Sequence, residues 1–78
     1  MILEIITPEK EVFKGEVKSV KLPGADGGFE ILNNHAPIIS TLSKGEIRIK
    51  NSDNKSKVFE INSGVIEMKN NKIIVLAN

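Results

Sequence analysis

Several residue types on which protein chemistry commonly rests are absent or scarce in this 78-residue chain. There is no cysteine, which excludes disulfides and thiolate metal sites and leaves the redox compartment undefined. Tryptophan and tyrosine are missing and only three phenylalanines are present, so platforms for stacking nucleic-acid bases are few. Charge of one sign is also lacking. Eleven basic residues balance ten acidic ones for a net +1, no basic stripe runs along the sequence, and nucleic acid is not an expected partner. No apolar run approaches the ~20 residues of a membrane helix. The opening Met1–Ile6 lacks the basic region and the length of a secretory signal. Work at a membrane is therefore expected to go through another molecule, without direct insertion.

The inventory for catalysis is equally thin. The only histidine, His35, lies between Asn34 and Ala36 with no nucleophile at motif spacing. No second ligand stands at i, i+2 or i, i+4 to make it half of a metal site. A turn histidine bonding local backbone groups and a contact residue at an interface both remain open for it. No catalytic residue, cofactor or metal is expected.

What the chain does hold is aliphatic and β-branched: twelve Ile and six Val beside five Leu. Such residues favour strands over helices. Turn signals recur every ~8–12 residues, the spacing of a sandwich or barrel. They fall at Thr7-Pro8, Gly15, Pro23-Gly24, Asn33-Asn34, Lys44-Gly45, Asn51–Asn54, Asn62–Gly64 and Asn70-Asn71. The segments between them read as short strands of one all-β domain. Glu46–Lys50 alternates, with Ile47 and Ile49 inward, and Lys57–Ile61 places Phe59 and Ile61 on one face. Apolar parity changes between Val17 and Val20, which predicts a bulge or a strand crossing between sheets. Ile73–Leu76 is apolar on both faces and is expected at the centre of a sheet. Asn51–Ser56 reads as a polar hairpin tip. Pro8–Phe13 is the nearest approach to a helix and is too short to stand alone.

The special residues gather between Leu22 and Leu42, which holds three of the six glycines, two of the three prolines and the histidine. Loops held on a rigid scaffold commonly carry binding. Pro23–Gly28 lacks the Lys-Ser or Lys-Thr and the following helix of a phosphate-binding loop, so a wide turn suited to touching another protein is expected. Asn33-Asn34 suits a turn because asparagine tolerates the left-handed conformation. Met68-Lys69 offers an alternative of another class, a small all-β carrier domain with a modified lysine at Lys69. Its position near the C-terminus, without symmetrical halves, argues against that reading.

Leu22–Gly27, Ile31-Leu32, His35-Ala36-Pro37-Ile38-Ile39 and Gly45-Glu46-Ile47-Arg48-Ile49 stand in an order and spacing that resembles the epsilon subunit of the F-type ATP synthase. Thr7-Pro8, Val12-Phe13 with Gly15, Ser63-Gly64-Val65 and Ile74–Ala77 extend the likeness over almost the whole chain. The resemblance implies a flattened β-sandwich of about ten short, mostly antiparallel strands. It also implies a non-catalytic rotor subunit, joining the gamma subunit to the polar loops of the c-ring and supporting the coupling of proton transport to ATP synthesis. Its place would be peripheral, on the cytoplasmic face of a bacterial inner membrane. By position, Ala25, Asp26, Gly27, Gly28, His35, Ala36 and Pro37 are expected at the c-ring end, and Thr7, Ile38 and Ile39 on the gamma side.

Three departures accompany the likeness. Gly28 stands where many relatives have an acid, so a charged ring contact is expected to be lost or moved to Asp26 or Glu30. Asn34 stands where a glycine is usual, a change that a left-handed turn accepts. The family's two-helix C-terminal domain, which senses ATP and inhibits, has no counterpart in these 78 residues. Neither nucleotide binding nor autoinhibition is therefore expected of them.

Overall fold

Nine strands make up most of residues 1–78 in the computed structural model, which describes every residue of the chain, and the predicted turns separate them except at Gly15, which lies inside a strand. They are β1 (Ile2–Ile6), β2 (Glu11–Glu16), β3 (Ser19–Leu22), β4 (Phe29–Leu32), β5 (Ile38–Leu42), β6 (Gly45–Lys50), β7 (Ser56–Ile61), β8 (Gly64–Lys69) and β9 (Lys72–Ala77). A five-stranded sheet runs β2-β1-β9-β8-β5, and a four-stranded sheet runs β4-β3-β6-β7. All pairs are antiparallel except β1 with β9. The fold is the expected β-sandwich, with nine strands against an expectation of about ten. One further extended stretch, at the start of the 23–28 loop, is reduced to a single bridge between Gly24 and Leu42.

The two sheets bury one face each against the other. Leu3 and Ile5 of β1, Ile66 and Met68 of β8, and Ile73 and Val75 of β9 meet Val20, Ile31, Ile47 and Ile49 of the opposite sheet. Fully burying one such side chain contributes about 1.5–3 kcal/mol, and no polar or charged residue is buried among them. Ile47 and Ile49 point inward as their alternation with charged neighbours requires, and so does Ile61. The parity change after Val17 marks the passage between sheets: β2 lies in one sheet, β3 in the other, and buried Val17 sits at the crossing.

Both sides of the sandwich are closed. At one, the Phe13 and Phe59 rings of β2 and β7 meet at 5.7 Å between centroids, with the Lys57 ammonium 5.8 Å from the Phe13 ring centre. At the other, Ala25 donates its N–H to the Thr41 carbonyl at 3.0 Å and so ties the 23–28 loop to β5.

β9 is central in its sheet, as its doubly apolar sequence predicts, but only one of its faces is covered. Ile73 and Val75 are buried, Ile74 is half-exposed and Leu76 is 55% exposed. A two-layer sandwich has no third layer to cover the outside of β9.

Candidate interaction surfaces

Register fixes which turns lie together. Ile2, Glu16 and Lys72 are neighbours at one end of the five-stranded sheet, while Ile6, Glu11 and Leu76 lie toward the other. In the four-stranded sheet, Ser19 pairs with Leu32 and Lys50, whereas Phe29 pairs with Leu22 and Gly45 with Ile61. One end of the sandwich therefore gathers Met1, Val17-Lys18 and the turns at residues 33–37, 51–55 and 70–71. The opposite end gathers the turns at residues 7–10, 23–28, 43–44 and 62–63 together with Asn78.

The seven residues expected at one c-ring end are divided by this geometry. Ala25, Asp26, Gly27 and Gly28 are exposed at one end of β4, and His35, Ala36 and Pro37 are exposed at the other. The single-end expectation is corrected accordingly: strand β4 lies between the two loops and carries the chain from one end to the other. A surface that touches both loops must run along the β4 edge, past Glu30 and the 55%-exposed Leu32.

Each loop is held firmly. A Cβ on Gly24 would lie 2.5 Å from the Gly27 carbonyl oxygen and 2.7 Å from the Phe29 ring, so only glycine fits there. Gly27 has φ 124° and donates its N–H to the Gly24 carbonyl at 3.0 Å. In the second loop Asn34 takes φ 62°, the left-handed turn expected of it. The Asn34 N–H donates to the Asn71 side-chain oxygen at 2.9 Å, and the Met1 ammonium donates to Asn33 Oδ1 at 2.9 Å. His35 makes local backbone bonds, its N–H to the Leu32 carbonyl and its Nδ1 2.7 Å from the Ala36 carbonyl oxygen.

A shallow cleft of about 390 Å³ lies beside β4 on the outside of the four-stranded sheet, between Lys21, Glu30 and Arg48 and walled by Pro23 and Phe29. Lys21 stands in register between Glu30 on β4 and the like-charged Arg48 on β6, and Glu46 faces the like-charged Glu60 of β7. The Arg48–Glu46 ion pair at 3.5 Å links them.

The outside of the five-stranded sheet is different in kind. Ile6, Leu76 and Val65 follow one another across β1, β9 and β8, and the next row runs Glu4, Ile74, Glu67 and Ile39, so that Glu67 stands between the two isoleucines. Val65, Leu76 and Ile39 are 43%, 55% and 73% exposed. An apolar patch of this kind, Ile6, Leu76, Val65 and Ile74 with Ile39 set off by Glu67, marks a contact site more reliably than isolated exposed apolar residues do. Of the three residues expected on a gamma-facing side, Ile39 stands on this face and Thr7 borders it beside Ile6 and Leu76. Ile38 is turned the other way, opposite buried Met68, and packs on the core. That placement is a second correction, since neighbouring residues of a strand point to opposite faces. Val65, Ile74 and Leu76 were not anticipated as contact residues. Lys69 closes β8 opposite Lys72, beside the Asn70-Asn71 turn.

Comparison with known proteins agrees with this architecture. The family described as "ATP synthase, Delta/Epsilon chain, beta-sandwich domain" matches residues 1–78. An ATP synthase epsilon chain of Chlorobium limicola is 45% identical over 74 residues, which are 95% of this chain and 84% of that one. An epsilon chain of Leptospira interrogans is 42% identical over 76 residues, covering 97% of this chain but 59% of its own length. Among solved structures, a chain of the Euglena gracilis mitochondrial ATP synthase superposes with a TM-score of 0.93 at 16% identity, covering 99% of this chain and 49% of that one. A chain from the Tetrahymena thermophila central stalk and c-ring superposes with a TM-score of 0.81 at 17% identity, covering 97% and 61%. These two likenesses establish the fold.

Proposed function

The chain belongs to the delta/epsilon-chain β-sandwich family of ATP synthases, and we propose that it is a non-catalytic subunit of the central stalk, joining the gamma subunit to the c-ring. In this role it transmits no chemistry. It holds two larger parts of a rotor together while ion flow turns the ring and the stalk drives ATP formation elsewhere. Its station is peripheral, on the cytoplasmic side of the membrane.

The observation that carries this reading is the uncovered apolar face of Ile39, Val65, Ile74 and Leu76. A central strand with apolar residues on both faces belongs in an environment covered on both sides. The gamma subunit supplies the missing cover, and Ile39 and Thr7 mark two borders of its footprint. The ring lies along the β4 edge, where the 25–28 and 35–37 loops can touch it together. A sandwich suits this task because its hydrogen-bonded ladders resist shear while its loops remain free to grip.

The test is a pull-down with recombinant gamma subunit from the same source, followed by addition to epsilon-depleted enzyme. Stoichiometric binding that restores coupling is expected. A folded gamma subunit that fails to bind would overturn the assignment.

A further inference from the structure

The near-neutral net charge conceals a polarity along the strand direction. At the end formed by the asparagine turns stand Lys18, Lys50, Lys55, Lys69 and Lys72 with the Met1 ammonium, against the carboxylates of Glu16 and Asp53 and, further along the strands, of Glu4 and Glu67. The opposite end reverses the balance, with Glu9, Glu11, Asp26, Glu46 and Glu60 against Lys10 and Lys44. The lysines at the first end are exposed, and Lys50, Lys55 and Lys69 are in no ion pair. Only Lys72 is in an ion pair, with Glu4 at 3.4 Å, and the Lys18 ammonium bonds a neutral amide oxygen of Asn54 at 3.1 Å. Asp53 turns one carboxylate oxygen toward the Lys55 backbone N–H at 3.2 Å.

A second feature of this end is that its turns are bonded to one another. Asn34, Asn54, Asn70 and Asn71 all take left-handed backbone angles. Side-chain bonds cross from turn to turn, from Asn34 to Asn71, from Lys18 to Asn54 and from Met1 to Asn33. The turns at 51–55 and 70–71 carry no aromatic and no large apolar residue.

We propose that this lysine end docks on a surface of anionic lipid headgroups, by electrostatics alone and without insertion. Two considerations favour a lipid surface over an acidic protein. Lysine is depleted from protein–protein interfaces, whose affinity comes from aromatic and arginine anchors that these turns lack. Clusters of four to eight basic side chains are, by contrast, the usual means of reading anionic lipid, each strengthening attachment by about fivefold. A firm platform keeps the ammonium groups on one side, where their attractions add within the ~10 Å screening length of 0.1 M salt. The inference does not depend on which subunit covers the apolar face, which lies on a different side of the sandwich.

The purified 78-residue chain is centrifuged with vesicles containing about 30% phosphatidylglycerol, with pure phosphatidylcholine vesicles as the control, at low salt and in ~0.5 M salt. Co-sedimentation with the anionic vesicles at low salt and release at high salt are expected. Replacing Lys50, Lys55 and Lys69 by Gln should weaken binding by roughly 100-fold with unchanged circular dichroism. Lys10→Gln with Lys44→Gln should leave it as it was. No binding, equal binding to neutral vesicles, or indifference to the triple substitution would overturn the proposal. Tighter retention by soluble polyglutamate than by vesicles of equal charge would overturn it too, in favour of an acidic polypeptide. None of these outcomes bears on gamma binding, so the two readings fail separately.

Discussion

Glu46 and Glu60 stand directly opposite each other across β6 and β7, on the outer side of the four-stranded sheet. Only Arg48, two residues along β6 and 3.5 Å from the Glu46 carboxylate, offsets the repulsion. Like charges directly opposite are destabilising in a sheet, and opposite charges contribute roughly 0.2–1 kcal/mol. Glu60→Lys is therefore expected to raise stability by about 0.5–1 kcal/mol in low salt, a melting increase of several degrees for a domain of this size. The gain should shrink in ~1 M salt, where screening is short-ranged. Thermal unfolding at the two salt concentrations decides it, and a melting temperature that falls in low salt would refute it.

Leu76 separates stability from binding. It is exposed, so Leu76→Glu should change unfolding free energy by less than about 1 kcal/mol while weakening gamma binding by more than tenfold. Leu3→Ala, on the buried side of the same sheet, should lose about 2–5 kcal/mol. Denaturant titration and gamma pull-down on both variants check the contrast. Retained binding by the Leu76 variant would remove the apolar face from the interface.

Two neighbouring glycines should behave differently. A methyl group on Gly24 meets the Gly27 carbonyl at 2.5 Å, whereas on Gly28 it meets only the Leu22 carbonyl oxygen at 3.5 Å. Gly24→Ala should cost about 1–3 kcal/mol and Gly28→Ala less than about 0.5 kcal/mol. Urea unfolding measures both, and equal costs would mean that the loop yields more readily than its contacts imply.

The Asn70-Asn71 turn offers a test of a conflict. Both residues have positive φ, and the second position of such a hairpin favours glycine. Yet the Asn71 side chain accepts the Asn34 N–H at 2.9 Å and joins two turns. Asn71→Gly should therefore lose about 1 kcal/mol despite improving the turn itself, whereas Asn70→Gly should be neutral or mildly stabilising. Hydrogen exchange at the Asn34 amide should accelerate only in the Asn71 variant; equal protection in both would show the bond to be unimportant.

Much of this architecture could be read from the chain because strand periodicity speaks directly about faces. Ile47 and Ile49 alternate with charged residues and point inward, and the broken parity at Val17 marks the change of sheet. Asn34 was legible because few residues accept its backbone angle. Periodicity is silent about the number of layers: β9 is apolar on both faces and central in its sheet, yet only the Ile73 and Val75 face is covered and Leu76 is left exposed. The division of the two loops was available in principle. A chain leaving Gly28 along a strand emerges at the far end of that strand, so His35 could not share an end with Ala25. The resemblance grouped them by a common role, and that obscured the geometry. The register-dependent gathering of lysines was out of reach, because Lys18, Lys50 and Lys69 lie far apart in sequence and meet only through the pairing of distant strands.

The parallel contact between β1 and β9 has a consequence for synthesis on the ribosome. β1 is flanked in the finished sheet by β9, which lies far along the chain, so until Ala77 has cleared the exit tunnel β1 has only β2 beside it. Its other edge, Ile2–Ile6, stays open until then, an apolar and unpaired template of the sort that seeds aggregation. The nascent chain therefore has reason to engage a chaperone until β9 emerges. A chain cut before Ile73 would leave β1 and β8 each with an unpaired inner edge, and so a substrate for degradation in place of a folded sandwich.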